Sequence, residues 1–516
     1  MKSIIDNRFI VCLLWMAMIC SILPSKDVDA CTSIMAGKKA TDSEIILVAR
    51  NEDFSKNNWN KYLVFRHYPE YHTKNGSDNP VVKEGIWTLG NGLKVPVPEN
   101  EFSYSAMPDA DAYEEATNAI GNRFYFEERG INQRNVAISA TNSVEVNDKA
   151  KRADPLVTIG IAESIIPTLI LPQAETALGA VQLLGHYVEQ YGASKGNGIL
   201  IGDPEQSWYF EIGSGHHWIA VKVPEDSYIA VANGMRVHSV DLDSKNVLHS
   251  KGLFEFVSKH KLLDKPKRHL FNFAKAFGIP GVPYNVDRIW LAQKLLTPSK
   301  VQKTRQYQYP LFLKPDNKIR VKDVMNVLRA TYKGTKLEGI AKRPIGVDRT
   351  AESHIMTLDQ NMPDALKGII WQAVGTPLGA PYMPLYRVMD DIPPGYSLGS
   401  NQYSPLSAYW AFRGLYALGN FDNNEFVPCI HQLWDKYEQQ FINEHEYLNR
   451  MLKEIYRLNQ KTAIDFARKY STGIAYQLVG IANKERNNLM TKITDNQGGK
   501  SERRVGCRAN ASKCPL

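Results

Sequence analysis

A closely spaced series of short apolar segments in the middle of the chain constrains the fold most. Four segments have the length and composition of strands, at 198–202, 208–213, 218–223 and 228–232. Asp-Pro, Gly-Ser-Gly and Pro-Glu-Asp turns separate them, and such a series predicts an antiparallel sheet. A further strand is predicted at 136–142 and a helix at 175–190. Helices between blocks of antiparallel strands predict a layered α+β body.

The N-terminal segment has the three-part layout of a secretory signal peptide. Lys2 and Arg8 precede an apolar run over residues 9–23, which is shorter than the ~20 residues that span a bilayer. A polar stretch follows and ends in Val-Asp-Ala at 28–30, with small residues at the two positions that a signal peptidase reads. Cleavage at that point would leave Cys31 as the first residue of the mature protein, with a free α-amino group.

Two other interpretations of this segment stay open, an uncleaved membrane anchor and a lipoprotein acylated on Cys31. Lipoprotein sites normally carry Leu three residues before the cysteine, whereas Val28 and the charged Asp29 stand here. No later segment is apolar enough to span a membrane, so we expect a soluble mature chain without a membrane partner. The expected location is the periplasm or the exterior, or a secretory or lysosome-like compartment in a eukaryotic host.

The amino-acid composition along the chain suggests how it is divided into domains. A hydrophobic content of 43% and a charged content of 22% are typical of a globular protein. We predict a signal peptide over 1–30, a main domain over 31–403, a helical region packed on it over 404–492, and a flexible basic tail over 493–516. The net charge of +8 is not accompanied by a nucleic-acid-binding motif, so no nucleic-acid partner is predicted.

The cysteines indicate neither a disulfide scaffold nor a zinc site. No Cys-x-x-Cys motif occurs, and four cysteines remain once the signal peptide is removed, Cys31, Cys429, Cys507 and Cys514. In an oxidising compartment Cys507 and Cys514 could pair and close a small loop in the tail. Cys31 is then a thiol with no structural partner close in sequence.

A predicted hairpin places charged residues beside Cys31. Residues 31–37 and 43–50 read as its strands, and the end of the second strand returns Arg50 and Asp53 to the start of the first. A thiolate is a nucleophile, and an α-amine with a pKa near ~7.7–8.0 can act as its base near neutral pH. Asp53 is the candidate that orients the amine, and Arg50 the cation that lowers the thiol pKa.

The same residues carry a resemblance to a known family. Cys31-Thr-Ser-Ile-Met-Ala-Gly, followed by Ala-Arg-Asn-Glu-Asp53, resembles the opening of the cysteine N-terminal-nucleophile dipeptidases. That family contains bacterial dipeptidases of the PepD type and the secernins, and it is related more distantly to bile salt hydrolases and penicillin V acylases. Three further matches end on or contain polar residues, Asn142, Asn233 and Arg288. The resemblance covers roughly residues 31 to 490.

The resemblance implies a fold and a mechanism. The fold is the four-layer αββα sandwich of N-terminal-nucleophile hydrolases, with 31–403 as the hydrolase domain and a C-terminal helical region. The implied activity is hydrolysis of dipeptides, a small peptide substrate, without a metal or another cofactor. Cys31 would attack the scissile carbonyl, its own amine would transfer the proton, and Asn142 would stabilise the oxyanion. Asn233 matches a second polar group of the wider superfamily, and Arg288 matches an arginine near the nucleophile.

Two other functions stay open at this stage. The nearer is an acylase or amidase that uses the same nucleophile on N-acyl amino acids, bile salts or penicillin-type amides. The further is a lipid-anchored surface protein without enzymatic activity. The residues that recognise the substrate termini, the side-chain preference and the formation of a homo-oligomer are not readable from the sequence.

Overall fold

The computed structural model describes residues 31–54, 60–67, 81–83, 85–99, 101–109, 127–399 and 402–498. The predicted signal peptide and the cysteine pair at 507 and 514 lie outside these residues. The described strands are, in chain order, β1 Thr32–Ala36, β2 Ile46–Asp53, β3 Val64–Arg66, β4 Val81–Lys83, β5 Ile86–Thr88, β6 Lys94–Pro96, β7 Tyr104–Pro108, β8 Glu127–Asn132, β9 Ala137–Val144, β10 Gly196–Gly202, β11 Ser207–Ile212, β12 Trp218–Lys222, β13 Tyr228–Val231, β14 His238–Val240, β15 Val247–His249, β16 Phe271–Asn272, β17 Thr350–Leu358, β18 Gly368–Val374 and β19 Met383–Tyr386.

Helices lie between β9 and β10, between β15 and β17, and after β19. The α-helices are α1 Asp148–Ala153, α2 Ile166–Ile170, α3 Ala177–Tyr191, α4 Leu253–Lys259, α5 Phe273–Phe277, α6 Pro283–Leu296, α7 Val321–Leu328, α8 Ala408–Gly419, α9 Phe426–Leu458 and α10 Gln460–Gly498. Short 3-10 helices lie at Lys38–Ala40, Glu163–Ile165, Arg268–Leu270, Asp364–Leu366, Pro394–Ser397 and Asn420–Asp422.

Two antiparallel sheets dominate the described part of the chain. The first has six strands in the order β13-β1-β2-β17-β18-β19, and the second has eight in the order β15-β12-β11-β10-β9-β8-β7-β3. Smaller sheets join β14 to β16 and β4 to β6 through β5. The hairpin predicted at the start of the chain is confirmed, because β1 pairs with β2 in the register Ser33↔Arg50.

The buried side chains divide into layers that follow the alternation of the strands. On β2, Ile46 and Val48 belong to the core between the two sheets, whereas Leu47 and Ala49 belong to the core under helices α6 to α10. On the eight-stranded sheet, residues such as Ile138 face a third core that contains α2 and α3. Helices therefore cover the outer face of each sheet, and the predicted four-layer αββα sandwich is confirmed.

The fourth of the closely spaced strands departs from the prediction. Strand β13 forms at the predicted place, but it pairs with β1 in the six-stranded sheet and not with β12. The position beside β12 is taken by β15. The Pro-Glu-Asp segment, predicted as a hairpin turn, carries the chain from one sheet to the other and binds the β1–β2 turn, where Lys39 N donates to Glu225 O at 2.7 Å.

The C-terminal part of the described chain is helical, as predicted. Helices α9 and α10 are long and lie on the six-stranded sheet, sharing its outer core. Helix α10 continues to Gly498, so residues 493–498, predicted as part of a flexible tail, are helical. None of the helices within the described ranges is both long and apolar enough to cross a membrane.

Candidate active site

The β1–β2 hairpin brings Cys31 and Arg50 into contact. Arg50 Nη2 donates to Cys31 Sγ at 2.9 Å, and Cys31 is only 4% exposed. The short 3-10 turn at Lys38–Ala40 closes the hairpin, and it needs glycine at its start because a Cβ on Gly37 would lie 2.5 Å from the carbonyl oxygen of Pro224. The local sequence therefore fixes the register that places the cation on the thiol.

Groups from β8, β9 and a 3-10 helix hold the guanidinium of Arg50 in place. Nη1 donates to Glu128 Oε2 at 2.5 Å and to the carbonyl oxygen of Ala140 at 3.1 Å, and Nη2 also lies 3.5 Å from Glu163 Oε1. Glu128 is on β8 of the second sheet, and Glu163 begins the 3-10 helix Glu163–Ile165, which follows β9 and α1. Arg50 is fully buried and links the two sheets at the end nearest Cys31.

The surroundings of Cys31 act on its pKa in opposite directions. Burial raises the pKa of the thiol most strongly, and the positive charge of Arg50 lowers it. The carboxylates Glu163, Asp53 and Glu128 raise it again, so the net pKa lies above the usual value. Arg50 thus acts in the predicted direction, but burial outweighs it, and the thiol needs a nearby base to lose its proton.

Asp53 lies at the end of β2 and is fixed by two partners. Its carboxylate accepts from the guanidinium of Arg343 and from the hydroxyl of Thr350, which is its register partner on β17. Asp53 is nearly inaccessible to solvent and is close enough to Cys31 to raise the pKa of the thiol. The structure therefore brings together Cys31, Arg50 and Asp53 as predicted.

Arg288 on α6 binds the backbone of the nucleophile residue. Its Nη1 donates to the carbonyl oxygen of Cys31 at 2.5 Å and to Thr32 Oγ1 at 2.9 Å. Its Nη2 donates to Asn233 Oδ1 at 2.9 Å and to Asn285 Oδ1 at 3.0 Å. Burial lowers the pKa of this guanidinium to about 10. The placement of Arg288 near Cys31 agrees with the sequence prediction.

The two candidate asparagines lie on neighbouring segments. Asn233 follows β13, and its Nδ2 donates to the carbonyl oxygen of Ser143 at 3.2 Å. Asn142 is on β9, paired with Gly198 at a β-bulge, and its side chain lies outside what the structure describes. The backbone therefore places Asn142 one residue before a direct partner of Asn233.

Sequence reasoning missed the groups that hold the predicted residues. One sequence feature pointed to Glu128, which lies in a Glu-Glu-Arg run immediately before the Gly-Ile-Asn segment at 130–132. No sequence feature pointed to Arg343 or to Glu163, whose carboxylate accepts from the hydroxyl of Ser143. The contacts of Glu163 with Arg50 and of Arg343 with Asp53 join residues more than 100 positions apart, and only the tertiary fold creates them.

A cleft with a volume of about 1250 Å³ opens beside this cluster. Ser143, Asn233 and Arg343 line it, so it meets the site through residues that contact Glu163, Arg288 and Asp53. The described residues contain no group of three His, Cys, Asp or Glu side chains that could hold a metal ion. The arrangement offers a thiol, a fixed cation, a fixed carboxylate and amide donors at the edge of a substrate-sized cleft.

Two antiparallel sheets between helix layers, with this cluster at the start of a central strand, define the fold of N-terminal-nucleophile hydrolases. Residues 30–436 match Peptidase family C69, and the chain belongs to that family. It is a hydrolase that acts on peptide bonds.

Curated relatives agree with this assignment. A "probable dipeptidase" of Latilactobacillus sakei is 34% identical over 403 residues, which cover 75% of this chain and 80% of the relative. A "probable dipeptidase" of Salmonella dublin is 34% identical over 399 residues, which cover 75% of this chain and 87% of the relative. Among solved structures, a mutant conjugated bile acid hydrolase of Clostridium perfringens aligns with 67% of this chain and 89% of its own, at 12% identity and a TM-score of 0.28.

Proposed function

We propose that this protein is an exported cysteine dipeptidase whose nucleophile is Cys31 at the mature N-terminus. The observation that carries the proposal is the 2.9 Å contact between Arg50 Nη2 and Cys31 Sγ in a buried site beside the cleft. A positive charge at this distance stabilises the thiolate that forms during attack. The dipeptide substrate is proposed from the names of the curated relatives.

The proposed reaction needs a base that the unprocessed chain lacks. Before cleavage the nitrogen of Cys31 is part of an amide, whereas after cleavage following Ala30 it is an amine. This amine accepts the thiol proton as Sγ attacks the scissile carbonyl, and it donates the proton to the departing amino acid. A thioester between Cys31 and the N-terminal residue of the dipeptide remains, and water hydrolyses it.

Other residues have assigned roles in this mechanism. Asp53, fixed by Arg343 and Thr350, orients the amine. Asn142 and nearby backbone donors receive the oxyanion, in agreement with the place of β9 beside Asn233. Arg288 is a positioning residue, because it holds the carbonyl oxygen of Cys31 and so fixes the first residue of the mature chain.

Export is proposed on two grounds. The first is the signal-peptide layout of residues 1–30. The second is that Cys429 is disulfide-bonded, and disulfides persist in oxidising compartments. Cys31, in contrast, is a free thiol.

The test combines processing with activity. Intact-mass analysis of the exported protein should give a chain that begins with unmodified Cys31, and lipidation would contradict this. The purified enzyme is then offered dipeptides, longer peptides and N-acylated amino acids. We expect hydrolysis of dipeptides by the wild type, none by Cys31→Ala, and no effect of a metal chelator. Preference for N-acylated substrates would replace the dipeptidase assignment with an acylase one.

A further inference from the structure

The cleft has two cations on its wall that no described carboxylate neutralises. Lys342 and Arg349 line it, and neither forms an ion pair with a described acid. The third cation of the wall, Arg343, is bound by Asp53. Arg349 makes one described side-chain hydrogen bond, to the hydroxyl of Tyr284 at 3.2 Å, which leaves its other donors available.

The segment that carries these cations is anchored to the end of β2. Arg343 and Thr350 both bind Asp53, and Asn51 Nδ2 donates to the carbonyl oxygen of Ile345 at 3.1 Å. The cations Lys342 and Arg349 are the sequence neighbours of Arg343 and Thr350. Their backbone positions are therefore fixed relative to the catalytic cluster before any substrate binds, which reduces the entropy lost on binding.

A chain of contacts links Arg349 to the nucleophile. Its partner Tyr284 lies under the guanidinium of Arg288, with 4.9 Å between the guanidinium carbon and the ring centre. Arg288 in turn donates to the carbonyl oxygen of Cys31. Two residues of extended chain span at most ~7 Å. The C-terminal end of a dipeptide bound at Cys31 therefore stays within reach of long side chains around the site.

The acidic residues of the cleft wall either lie on the side of the other sheet or already have a hydrogen-bond partner. Glu145 follows β9, which belongs to the other sheet, and it faces the cleft from that side. Asp348 accepts from the hydroxyl of Tyr416 at 2.7 Å. One side of the cleft is therefore cationic, and a planar guanidinium is well suited to a carboxylate because it can donate two parallel hydrogen bonds.

We infer that Arg349, assisted by Lys342, binds the C-terminal carboxylate of the substrate on the leaving-group side of the scissile bond. This inference rests on the proposed function and names the group that selects the substrate. A carboxylate bound one residue beyond the scissile bond leaves no place for a further residue. Tripeptides and dipeptide amides lose this interaction, and the enzyme is restricted to substrates that end one residue after the bond.

The test compares Ala-Ala with its C-terminal amide. In the enzyme that begins at Cys31, Arg349→Met should raise the KM for Ala-Ala by about tenfold or more, because a charge-assisted bidentate contact is lost. Lys342→Met should raise it by about threefold, since an exposed ion pair contributes less. Neither change should alter the KM for the amide. Lys336→Met, at an exposed lysine that does not line the cleft, is the matched control.

A binding measurement separates this inference from the proposed function. Calorimetric titration of Cys31→Ala with Ala-Ala needs no turnover, and binding should weaken about tenfold when Arg349→Met is added. Equal affinity with and without Arg349→Met, or an unchanged KM ratio between Ala-Ala and its amide, would overturn the carboxylate site. Absence of dipeptide hydrolysis by the wild type would instead refute the dipeptidase assignment, while the titration would still decide the carboxylate site.

Discussion

The space between the two sheets has an apolar half and a charged half, although the same strands build both. Strand β2 contributes Ile46 and Val48 to the apolar half, and β17 contributes Met356 and Leu358 at paired positions. Further along, the same faces carry charged and polar side chains, which are Arg50 and Glu52 on β2 and His354 and Glu352 on β17.

The charged half contains separate groups of buried polar contacts. Lys61 Nζ lies 2.7 Å from Glu52 Oε1 and 2.6 Å from Asp109 Oδ1. His354 Nδ1 lies 2.7 Å from Glu352 Oε1. Buried ion pairs contribute little net stability compared with well-packed apolar side chains, yet removal of one partner is strongly destabilising. The part of the charged half that serves the site is the pair of Arg50 and Glu128, because Glu128 holds the guanidinium that contacts Cys31.

The largest expected difference between the halves concerns Arg50 and Val48, two residues apart on one strand face. Arg50→Met leaves the carboxylates Glu128 and Glu163 without their cation. We expect the free energy of unfolding to fall by about 3–5 kcal/mol, and kcat/KM to fall roughly 1000-fold if about 4 kcal/mol of transition-state stabilisation is lost.

The control for Arg50→Met is Val48→Ala in the apolar half. This change removes buried methyl groups and should lower the free energy of unfolding by roughly 1–3 kcal/mol, with kcat retained below the melting temperature. Denaturant titration and steady-state kinetics measure both variants. A similar loss of kcat in Val48→Ala would remove the distinction between the two halves.

The second expected effect concerns Lys61, which lies in the charged half but does not contact the thiol. Burial alone would lower the pKa of Lys61, but Asp109 and Glu52 outweigh it and raise the pKa above its usual value. Lys61→Met should lower the free energy of unfolding by about 3–5 kcal/mol, because two buried carboxylates lose their partner. Adding Glu52→Gln and Asp109→Asn should restore part of that loss, and a triple variant no more stable than Lys61→Met would contradict the account.

The third effect is a pH dependence from His354. Burial lowers the pKa of His354 below 6.5, although Glu352 opposes this shift. The unfolded chain therefore takes up a proton at higher pH than the folded chain does. The stabilisation is complete above pH 6.5 and is lost as the pH falls from there toward the folded pKa. The melting temperature should drop more steeply between pH 6.5 and 5 in the wild type than in His354→Gln, and equal slopes would contradict this.

The smallest expected effect belongs to the apolar half. Met356→Leu keeps the volume and the apolar character of a fully buried side chain. The free energy of unfolding should change by less than about 1.5 kcal/mol, and kcat/KM should not change. Thermal melts and dipeptide kinetics are sufficient to check it, and a large loss of activity would show that packing in the apolar half also controls the site.

Features that depend on neighbouring residues could be predicted from the sequence. The turn at 38–42 closes a hairpin of fixed length, so the proximity of Cys31, Arg50 and Asp53 follows from local pattern alone. The proximity of Arg288 came from resemblance to a family. Strand β13 was assigned to the wrong sheet, because spacing along the chain does not reveal that β15 occupies the place beside β12.

The partners of the predicted residues could not be found in this way. Glu163 and Arg343 reach Arg50 and Asp53 only because the sheets stack and the segment before β17 folds over the end of β2. The helices of the C-terminal region could be predicted because residues with high helix propensity recur there without interruption. The boundary between that region and the main domain stays a prediction.

The central claim is that the α-amine of Cys31 is the base for its own thiol. The most direct test compares two purified proteins, one beginning at Cys31 and one that retains Ala30 as an additional first residue. The nitrogen of Cys31 is an amine in the first protein, where it can accept the thiol proton, and an amide in the second, where it cannot. We expect dipeptide hydrolysis only by the protein that begins at Cys31, and equal kcat/KM values for the two would contradict the mechanism.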